Sequence, residues 1–441
     1  MNTIDDYERA ISDAVRAKED WASLPAQMRS NMLQRIASEL AARRRAIRDT
    51  LIAEVAKPFG EAEAEIDAAL NMLRFFAGWP LWGRTPQVGE CSGLPQGRVL
   101  LRPRGVAGLI TPWNYPLSNP VQKIAAALVC GNTVIWRPSA LCITSSRLLS
   151  ETIAAATLPQ GVFSMLIEDG SVLSRRLVDD ARVDAVSFTG STEVGRQIYA
   201  TASERLAAVQ CEMGGKNAAV VLANADLQDA ARKIAIGAFG FAGQKCTALS
   251  RVYVEAAVSD RFSQCLEAEV SALVVGDPRE ESTVVGPVIS REKKLQLDEV
   301  CCDAMARGLR CVRPGEGASA ADSGALFLPT IFYDVPQDDP LMQDELFGPV
   351  LAVARVANVG EALQRVNDCR YGLAASIFTS DATVAREFAS RAEVGVVKVN
   401  QATPGLSVGL PASGWKNSGA GIGELAEESI RFFTKTTSVF A

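Results

Sequence analysis

The sequence contains no histidine. That absence excludes a Ser-His-Asp triad, a Cys-His pair, an H-E-x-x-H zinc site and a Cys2His2 finger. A general base near neutral pH must then be a carboxylate, a Lys, a Tyr or a Cys. None of the ten Cys, at positions 91, 130, 142, 211, 246, 265, 301, 302, 311 and 369, forms a C-x-x-C, so zinc ribbons and thioredoxin-like sites are not expected, nor any metal. Their scatter along 441 residues is unlike the disulfide framework of a small secreted domain, so reduced thiols in a cytoplasm are expected. No stretch approaches the ~20 apolar residues of a membrane span. The N-terminus, MNTIDDYERAISDAV, lacks the basic and apolar regions of a signal peptide. The balance of 45 basic against 51 acidic residues, net −6, gives no general attraction to nucleic acid or to an anionic membrane. A hydrophobic share of 48% and a charged share of 22% are ordinary for a soluble globular chain, long enough for about three domains.

Residues 4–80 carry apolar positions at helical spacing, as in Met32, Leu33, Ile36 and Leu40. The Arg-rich run Ala41–Arg48 reads as a solvated helix face. The Gly- and Pro-containing segment Gly83–Gly97 ends this helical region. Short apolar runs then alternate with amphipathic stretches. Strands are expected at Val106–Thr111, Thr133–Trp136, Val162–Ile167 and Ala185–Phe188. Helices are expected between them, at Val121–Val129, Ser145–Ala156, Leu173–Val178 and Glu193–Ala202. A second alternating region has strands at Ala218–Leu222, Arg251–Glu255 and Ala374–Phe378, with helices at Leu227–Phe241, Asp260–Ala272, Val359–Val366 and Thr383–Ala392. This texture predicts two α/β units with largely parallel sheets. Pro314–Gly324 is small and polar, a loop.

Four places hold candidate chemistry. Phe188-Thr189-Gly190-Ser191-Thr192-Glu193-Val194-Gly195 runs from a strand into a helix, where glycines allow close approach and the helix N-terminus suits a pyrophosphate. It also reads as a tight connection. Nine of the Cys read as small buried hydrophobes. Cys246, in Gly243-Gln244-Lys245-Cys246-Thr247, stands beside a Lys whose charge favours the thiolate. Glu212 ends an apolar run just before Met213-Gly214-Gly215-Lys216, as a base in a cleft or as a surface Glu. Asn114, in Thr111-Pro112-Trp113-Asn114-Tyr115-Pro116, is placed to donate its amide to an oxyanion, or serves turn chemistry.

The segments TPWNYP, FTGSTEVG, EMGGK with GQKCT, and ELFGPV occur in this order, and together the chain resembles the NAD(P)-dependent aldehyde dehydrogenases over nearly its whole length. The resemblance implies an open parallel-sheet cofactor domain, an α/β catalytic domain and small oligomerisation strands. The corresponding boundaries are 1–84 and 105–213 for the cofactor domain, 214–415 for the catalytic domain, and 85–104 with 427–441 for the strands. It implies a Cys246 nucleophile, an oxyanion hole of Asn114 and the Cys246 N–H, and Glu212 activating the hydrolytic water. Lys123 and Glu424 match a proton-relay pair, although Glu424 lies one residue further from Ser418 than the family spacing. Cofactor contacts fall to Thr111, Pro112, Trp113, Arg137, Ser139, Ala140, Thr189, Gly190, Ser191, Gly195, Glu345 and Phe347. The family's tunnel positions are Tyr115, Ser118, Asn119, Gln122, Lys245 and Thr247, none aliphatic. They imply a short polar or acidic aldehyde, with Lys245 either facing a substrate anion or pointing to solvent. The run GQKCTALSR is similar to members acting on semialdehydes such as 2,5-dioxopentanoate.

The sequence departs from the family where its usual Lys before Pro-Ser is Arg137 and the Glu three residues on is Ala140. The repelling carboxylate for an extra phosphate is missing and a guanidinium is gained, so NADP is expected to serve at least as well as NAD, unless Arg137 only replaces Lys at the ribose hydroxyls and NAD stays preferred. The Phe that usually precedes two glycines is also absent from Pro411-Ala412-Ser413-Gly414-Trp415-Lys416. A homodimer or homotetramer is implied. Two competing readings are a coenzyme A-acylating enzyme, which has no need of Glu212, and a non-catalytic relative, which has no need of any of these residues.

Overall fold

Apolar runs and amphipathic helices account for most of the architecture seen in a computed structural model of the chain, which describes residues 1–82, 87–88, 97–313 and 324–440. Cys91, most of Gly83–Gly97 and all but the last residue of the expected Pro314–Gly324 loop lie outside the described residues. The helical beginning comprises Ile4–Ser23, Ala26–Ala42, Arg44–Val55 and Phe59–Trp82. Thr3 and Asp6 close a reciprocal capping box on the first. Ala56, in the left-handed region at φ 52°, ends the third. Lys57-Pro58 then leads into the fourth.

The first sheet has six strands in the order Gly419–Gly421, Ala208–Glu212, Ala185–Thr189, Val106–Thr111, Thr133–Pro138, Phe163–Met165. All pairs are parallel except the antiparallel edge made by Gly419–Gly421. Every residue of the central strand Val106–Thr111 is buried, as a strand covered by helices on both faces requires. Chain order reverses at this strand, with Thr133–Pro138 on one side and Ala185–Thr189 on the other. The loops leaving Thr111 and Thr189 therefore open one crevice at the carboxyl ends, the usual ligand position of such sheets.

The second sheet has seven strands, in the order Arg310–Val312, Thr330–Tyr333, Val350–Val356, Leu249–Glu255, Asn217–Val221, Ala374–Phe378, Val396–Val399. Only the first pair is antiparallel. A third sheet joins Gly97–Pro103 to Thr434–Phe440 and to Gln87–Val88.

The structure differs from the sequence reading in several places. The strand expected across 427–441 starts only at Thr434, because Ala426–Phe433 is a helix that buries Ile430, Phe432 and Phe433. The helix expected to reach Phe241 stops at Phe239, and Phe241, Ala242 and Gly243 follow with φ of 54°, 52° and 68°. Three successive left-handed residues turn the chain back sharply, and that turn delivers Cys246. The apolar run before Glu212 is interrupted by Leu206, which is 93% exposed at φ 59°. The expectation of buried thiols fails at Cys302, which is exposed beside buried Cys301. No strand was expected at Thr330–Tyr333, Val350–Val356 or Val396–Val399, and no helix at Arg291–Ala306. The helix buries only Leu297, Cys301 and Ala304, too narrow a stripe to show as a period.

Candidate active site

Asn114 follows the central strand of the first sheet and is buried. Its side-chain amide donates to the Gln244 carbonyl at 3.0 Å, and its own carbonyl accepts from Lys57 Nζ at 2.7 Å. Gln244 is itself fully buried and accepts from the Ile289 N–H at 2.7 Å. Two residues on, the Cys246 carbonyl accepts from Asn217 Nδ2 at 2.8 Å. The two sheets thus fix the two groups against each other: Asn114 leaves the first, and Asn217 opens a strand of the second. The Cys246 N–H has no hydrogen-bond acceptor among the described residues.

A cavity of about 250 Å³ opens there, lined by Pro112, Trp113, Asn114, Tyr115, Asn119, Thr189, Gly190, Ser191, Met213, Gly214, Cys246, Glu345 and Phe347. Trp113 meets Phe347 edge to face, with centroids 5.8 Å apart. Glu345 accepts from the Gly215 N–H at 2.9 Å, and burial raises its pKa. Thr189 Oγ1 and Asn119 Oδ1 are buried without a partner, and both belong to residues of the cavity wall. Ser191 begins the helix Thr192–Glu204 without capping it through its side chain, so the first N–H groups there stay available for an anion. The orphaned Thr189 hydroxyl and the open helix N-terminus suit the phosphate and amide chemistry of a nicotinamide dinucleotide.

Gly190 and Gly195 have a second, internal reason. A Cβ on Gly190 would stand 2.5 Å from the Phe188 ring, and one on Gly195 2.5 Å from Met213 Sδ. Packing within the protein by itself requires their bareness.

Glu212, Lys123 and Glu424, expected to handle protons, are not among the residues lining the cavity. Glu212 ends its strand next to Gly419 of the antiparallel edge. Burial and the neighbouring Glu424 carboxylate push its pKa well above the carboxylate range, while Lys123 and a hydrogen bond from Gly414 oppose that rise. Lys123 and Glu424, 301 residues apart, form a buried ion pair. Lys123 Nζ also donates to Ser187 Oγ at 2.8 Å, and Glu424 accepts from Gln122 Nε2 at 2.6 Å. Ser187 donates to Gln210 Oε1 at 2.8 Å, and Gln210 Nε2 donates to the carbonyls of Ile422 and Gly423 at 2.9 and 2.6 Å. Gln210 therefore holds the strand end that carries Glu424.

Two sequence expectations are corrected. Lys245 does not activate the thiol, because its ammonium pairs with Glu61 at 2.5 Å. Burial, with Glu345, Glu212 and Glu424 around it, pushes the Cys246 thiol up to about 12. The same pairing leaves Lys245 no free charge for a substrate anion. Of the other tunnel positions, Gln122 is held by Glu424 and the Ser118 hydroxyl by Glu65. Only Tyr115 and Asn119 reach the cavity wall, and Thr247 does not.

At the end of the central strand, buried Thr111 accepts from the buried Trp136 indole at 2.9 Å. Ser139 caps the short turn Ala140–Cys142 by accepting from the Leu141 N–H at 3.2 Å. Arg137 lies against Glu168, Nε to Oε1 at 3.3 Å, and donates to the Gly170 carbonyl at 2.7 Å. Sequence reasoning missed Lys57, Glu61, Glu65, Glu168, Ser187 and Gln210. One signal was present: Glu61 and Glu65 are spaced four apart, on one helix face, beside the apolar Ala62–Ile66 stripe.

Two parallel sheets meeting at a thiol-bearing cavity, with a phosphate-ready helix N-terminus beside it, define an oxidoreductase that works with a dinucleotide. The chain belongs to the aldehyde dehydrogenase family, whose description it matches over residues 1–439. It is 36% identical to the 2,5-dioxopentanoate dehydrogenase of Saccharolobus solfataricus, over 100% of this chain and 92% of that one. It is 34% identical to the alpha-ketoglutaric semialdehyde dehydrogenase of Bacillus subtilis, over 100% and 90%. A solved NAD-dependent aldehyde dehydrogenase from Sinorhizobium meliloti superposes with a TM-score of 0.95 at 29% identity, over 100% of this chain and 87% of that one. The protein is an NAD(P)-dependent enzyme that oxidises an aldehyde to a carboxylic acid through a cysteine-bound acyl intermediate.

Proposed function

We propose that Cys246 is that cysteine. The observation that carries the reading is the shared cavity wall of Cys246 and Asn114, where the Cys246 N–H is left without an acceptor. The thiolate attacks the aldehyde carbon, and the resulting oxyanion is met by the Asn114 amide and the Cys246 N–H. The bound dinucleotide supplies the two-electron acceptor for the hydride. Collapse of the thiohemiacetal leaves a thioester on Cys246. Glu212 takes one proton from water, the resulting hydroxide adds to the thioester carbon, and the C–S bond breaks to release the carboxylate, with the second water proton returned to the Cys246 thiol. Lys123 and Glu424 pass the proton onward. Quenching a Glu212→Gln variant during turnover and mapping the acyl adduct by mass spectrometry tests the scheme. An adduct on any peptide but that of Cys246 overturns it.

The substrate is a short polar or acidic semialdehyde. The small cavity, the phenol of Tyr115 and the unpartnered Asn119 oxygen support this, as do the relatives' substrates. An alkyl chain would leave those polar groups unpaired at a cost of ~1–3 kcal/mol each. Long-chain aliphatic aldehydes outperforming short semialdehydes in kcat/KM would refute it. NADP serves at least as well as NAD, through Arg137 and Ser139 and the lack of a carboxylate at Ala140. The enzyme assembles as a homodimer or homotetramer through the Gly97–Pro103 and Thr434–Phe440 pair. Val396–Val399 is an open sheet edge with exposed Val399 and Leu410 close by in sequence, and Phe440 is 73% exposed, the kind of edge that a protein covers. Truncation after Phe433 is expected to give monomers in sedimentation, and an unchanged oligomer refutes this role. The scattered thiols fit a cytoplasmic setting. No described helix is long and apolar enough to cross a membrane.

A further inference from the structure

The loop that carries Asn114 is gripped at both ends by two side chains from the segment Lys57–Glu65. Lys57 is completely buried and donates to the Asn114 carbonyl at 2.7 Å. It pairs with Glu65, whose side chain is equally sealed from solvent. Glu65 Oε1 accepts from the Leu117 and Ser118 N–H groups, each at 2.9 Å, and from the Ser118 hydroxyl at 3.3 Å. Those N–H groups open the helix Ser118–Val129, which has no side-chain cap of its own. A carboxylate there satisfies donors the helix leaves open and complements its dipole.

The same ammonium lies 4.1 Å from the Tyr115 ring centroid and 4.7 Å from that of Phe241. Phe241 begins the left-handed turn that delivers Cys246. One cation therefore touches both the loop bearing Asn114 and the turn bearing the thiol. Stability alone does not account for the pair, because desolvating two charges offsets most of their attraction and apolar replacements are often tolerated. What the pair does supply is geometry. It fixes the Asn114 carbonyl, and with it the backbone from which the amide projects.

We infer that Lys57 and Glu65 are positioning residues for the acylation step, clipping the Asn114–Ser118 loop so that the Asn114 amide stays aimed at the oxyanion formed on Cys246. This rests on the proposed oxyanion role of Asn114. Misplacing a catalytic group by about 1 Å costs on the order of a hundredfold in rate.

The test is a cycle between the clip and Asn114. The paired variant Lys57→Met/Glu65→Gln is compared with Asn114→Ala and with the triple variant, reading the pre-steady-state burst of reduced cofactor. The burst rate of the paired variant is expected to fall about a hundredfold, with the cofactor Kd, read by fluorescence titration, within about twofold. In the Asn114→Ala background the same pair is expected to cost less than about threefold, because its target is gone. Glu65→Gln alone, which keeps the side-chain shape, is expected to fall between the parent and the pair, and it stands in if the pair does not fold. A burst within twofold of the parent overturns the inference. So does an undiminished loss in the Asn114→Ala background, which marks a general structural effect. An Asn114→Ala burst equal to that of the parent instead removes the oxyanion reading, and the clip falls with it.

Discussion

Two buried lysine–carboxylate pairs meet the helix Ser118–Val129, Lys57–Glu65 at its N-terminus and Lys123–Glu424 through its own Lys123, and they are built differently. In the pair Lys57–Glu65, the partners beyond the pair itself are the Asn114 carbonyl, the Leu117 and Ser118 N–H groups and a hydroxyl, none of which changes protonation in turnover. In the pair Lys123–Glu424, the neighbours are Ser187, Gln122 and the raised carboxyl of Glu212. The first arrangement is saturated with fixed partners and suits holding. The second places a titrating group against both a cation and an anion, and suits proton movement. A buried ion pair therefore reveals its role through what surrounds it.

The largest effect is expected at the proposed nucleophile. Cys246→Ala is expected to lower kcat by at least about 10³ while the cofactor Kd stays near the parent value. Retained steady-state activity would end the scheme. Because burial and three carboxylates hold the thiol near 12, the free enzyme is mostly protonated at neutral pH. Alkylation of Cys246 by iodoacetamide is expected to rise about tenfold per pH unit between pH 7 and 9, following the thiolate fraction. A flat profile would show that a cation, not a carboxylate, dominates the field at the sulfur.

Glu212→Gln is expected to cut steady-state turnover by about 10²–10³ and to leave a burst of reduced cofactor, since the hydrolytic water is needed only after the thioester has formed. The neighbouring pair then offers a test with opposite signs. Glu424 raises the Glu212 pKa and Lys123 lowers it. Glu212 acts only when deprotonated, so turnover limited by deacylation rises with pH through its pKa. Lys123→Met removes the lowering charge and is expected to move that limb toward alkaline pH by about one unit. Glu424→Gln removes the raising charge and is expected to move it the other way. If both variants shift the limb in one direction, the pair does not act through the charge of Glu212.

Most of the secondary structure was legible because apolar periodicity and turn residues are local. The central strand Val106–Thr111 and the helix 359–366 needed no tertiary information. The turn at Phe241–Gly243 was not legible, since Phe and Ala in the left-handed region go against local preference and are held by their burial. Motif positions such as Asn114, Cys246 and Glu212 stood out through their settings and the family likeness. Their supports did not. Lys57 meets Asn114 across 57 residues, and Ser187 meets Gln210 across two strands. Nothing in a single sequence marks a Ser or Gln on a strand as the anchor of a distant lysine. The misreading of Lys245 has the same origin: adjacency in sequence suggested a thiol partner, while the ammonium found Glu61, 184 residues away.

The smallest effect concerns a third charged pair, Arg137–Glu168, at the rim of the cofactor crevice. Arg137 is held by Nε to Glu168 and by Nη2 to the Gly170 carbonyl, which fixes the guanidinium plane and absorbs part of its charge. Glu168 also accepts from Leu173 and Ser174, at the start of the helix Val172–Asp179, so its carboxylate is oriented away from a free anionic role. This pair resembles Lys57–Glu65 in being saturated, and by the same logic it holds rather than titrates. On the proposed cofactor preference, a fixed guanidinium with no carboxylate at Ala140 is what would receive the extra phosphate of NADP. Ala140→Glu restores a repelling charge without touching the Arg137 contacts, and the ratio of kcat/KM for NADP over NAD is expected to fall by about tenfold, ~1.4 kcal/mol. Glu168→Gln removes the opposing charge from Arg137 and is expected to raise the same ratio by a few-fold, about 0.5–1 kcal/mol. Both ratios are read with one short semialdehyde at fixed ionic strength, because screening weakens exposed charge effects. A parent enzyme preferring NAD by more than about tenfold, with Ala140→Glu silent, would mean that Arg137 only contacts the ribose and that Glu168 sets the rim's sign.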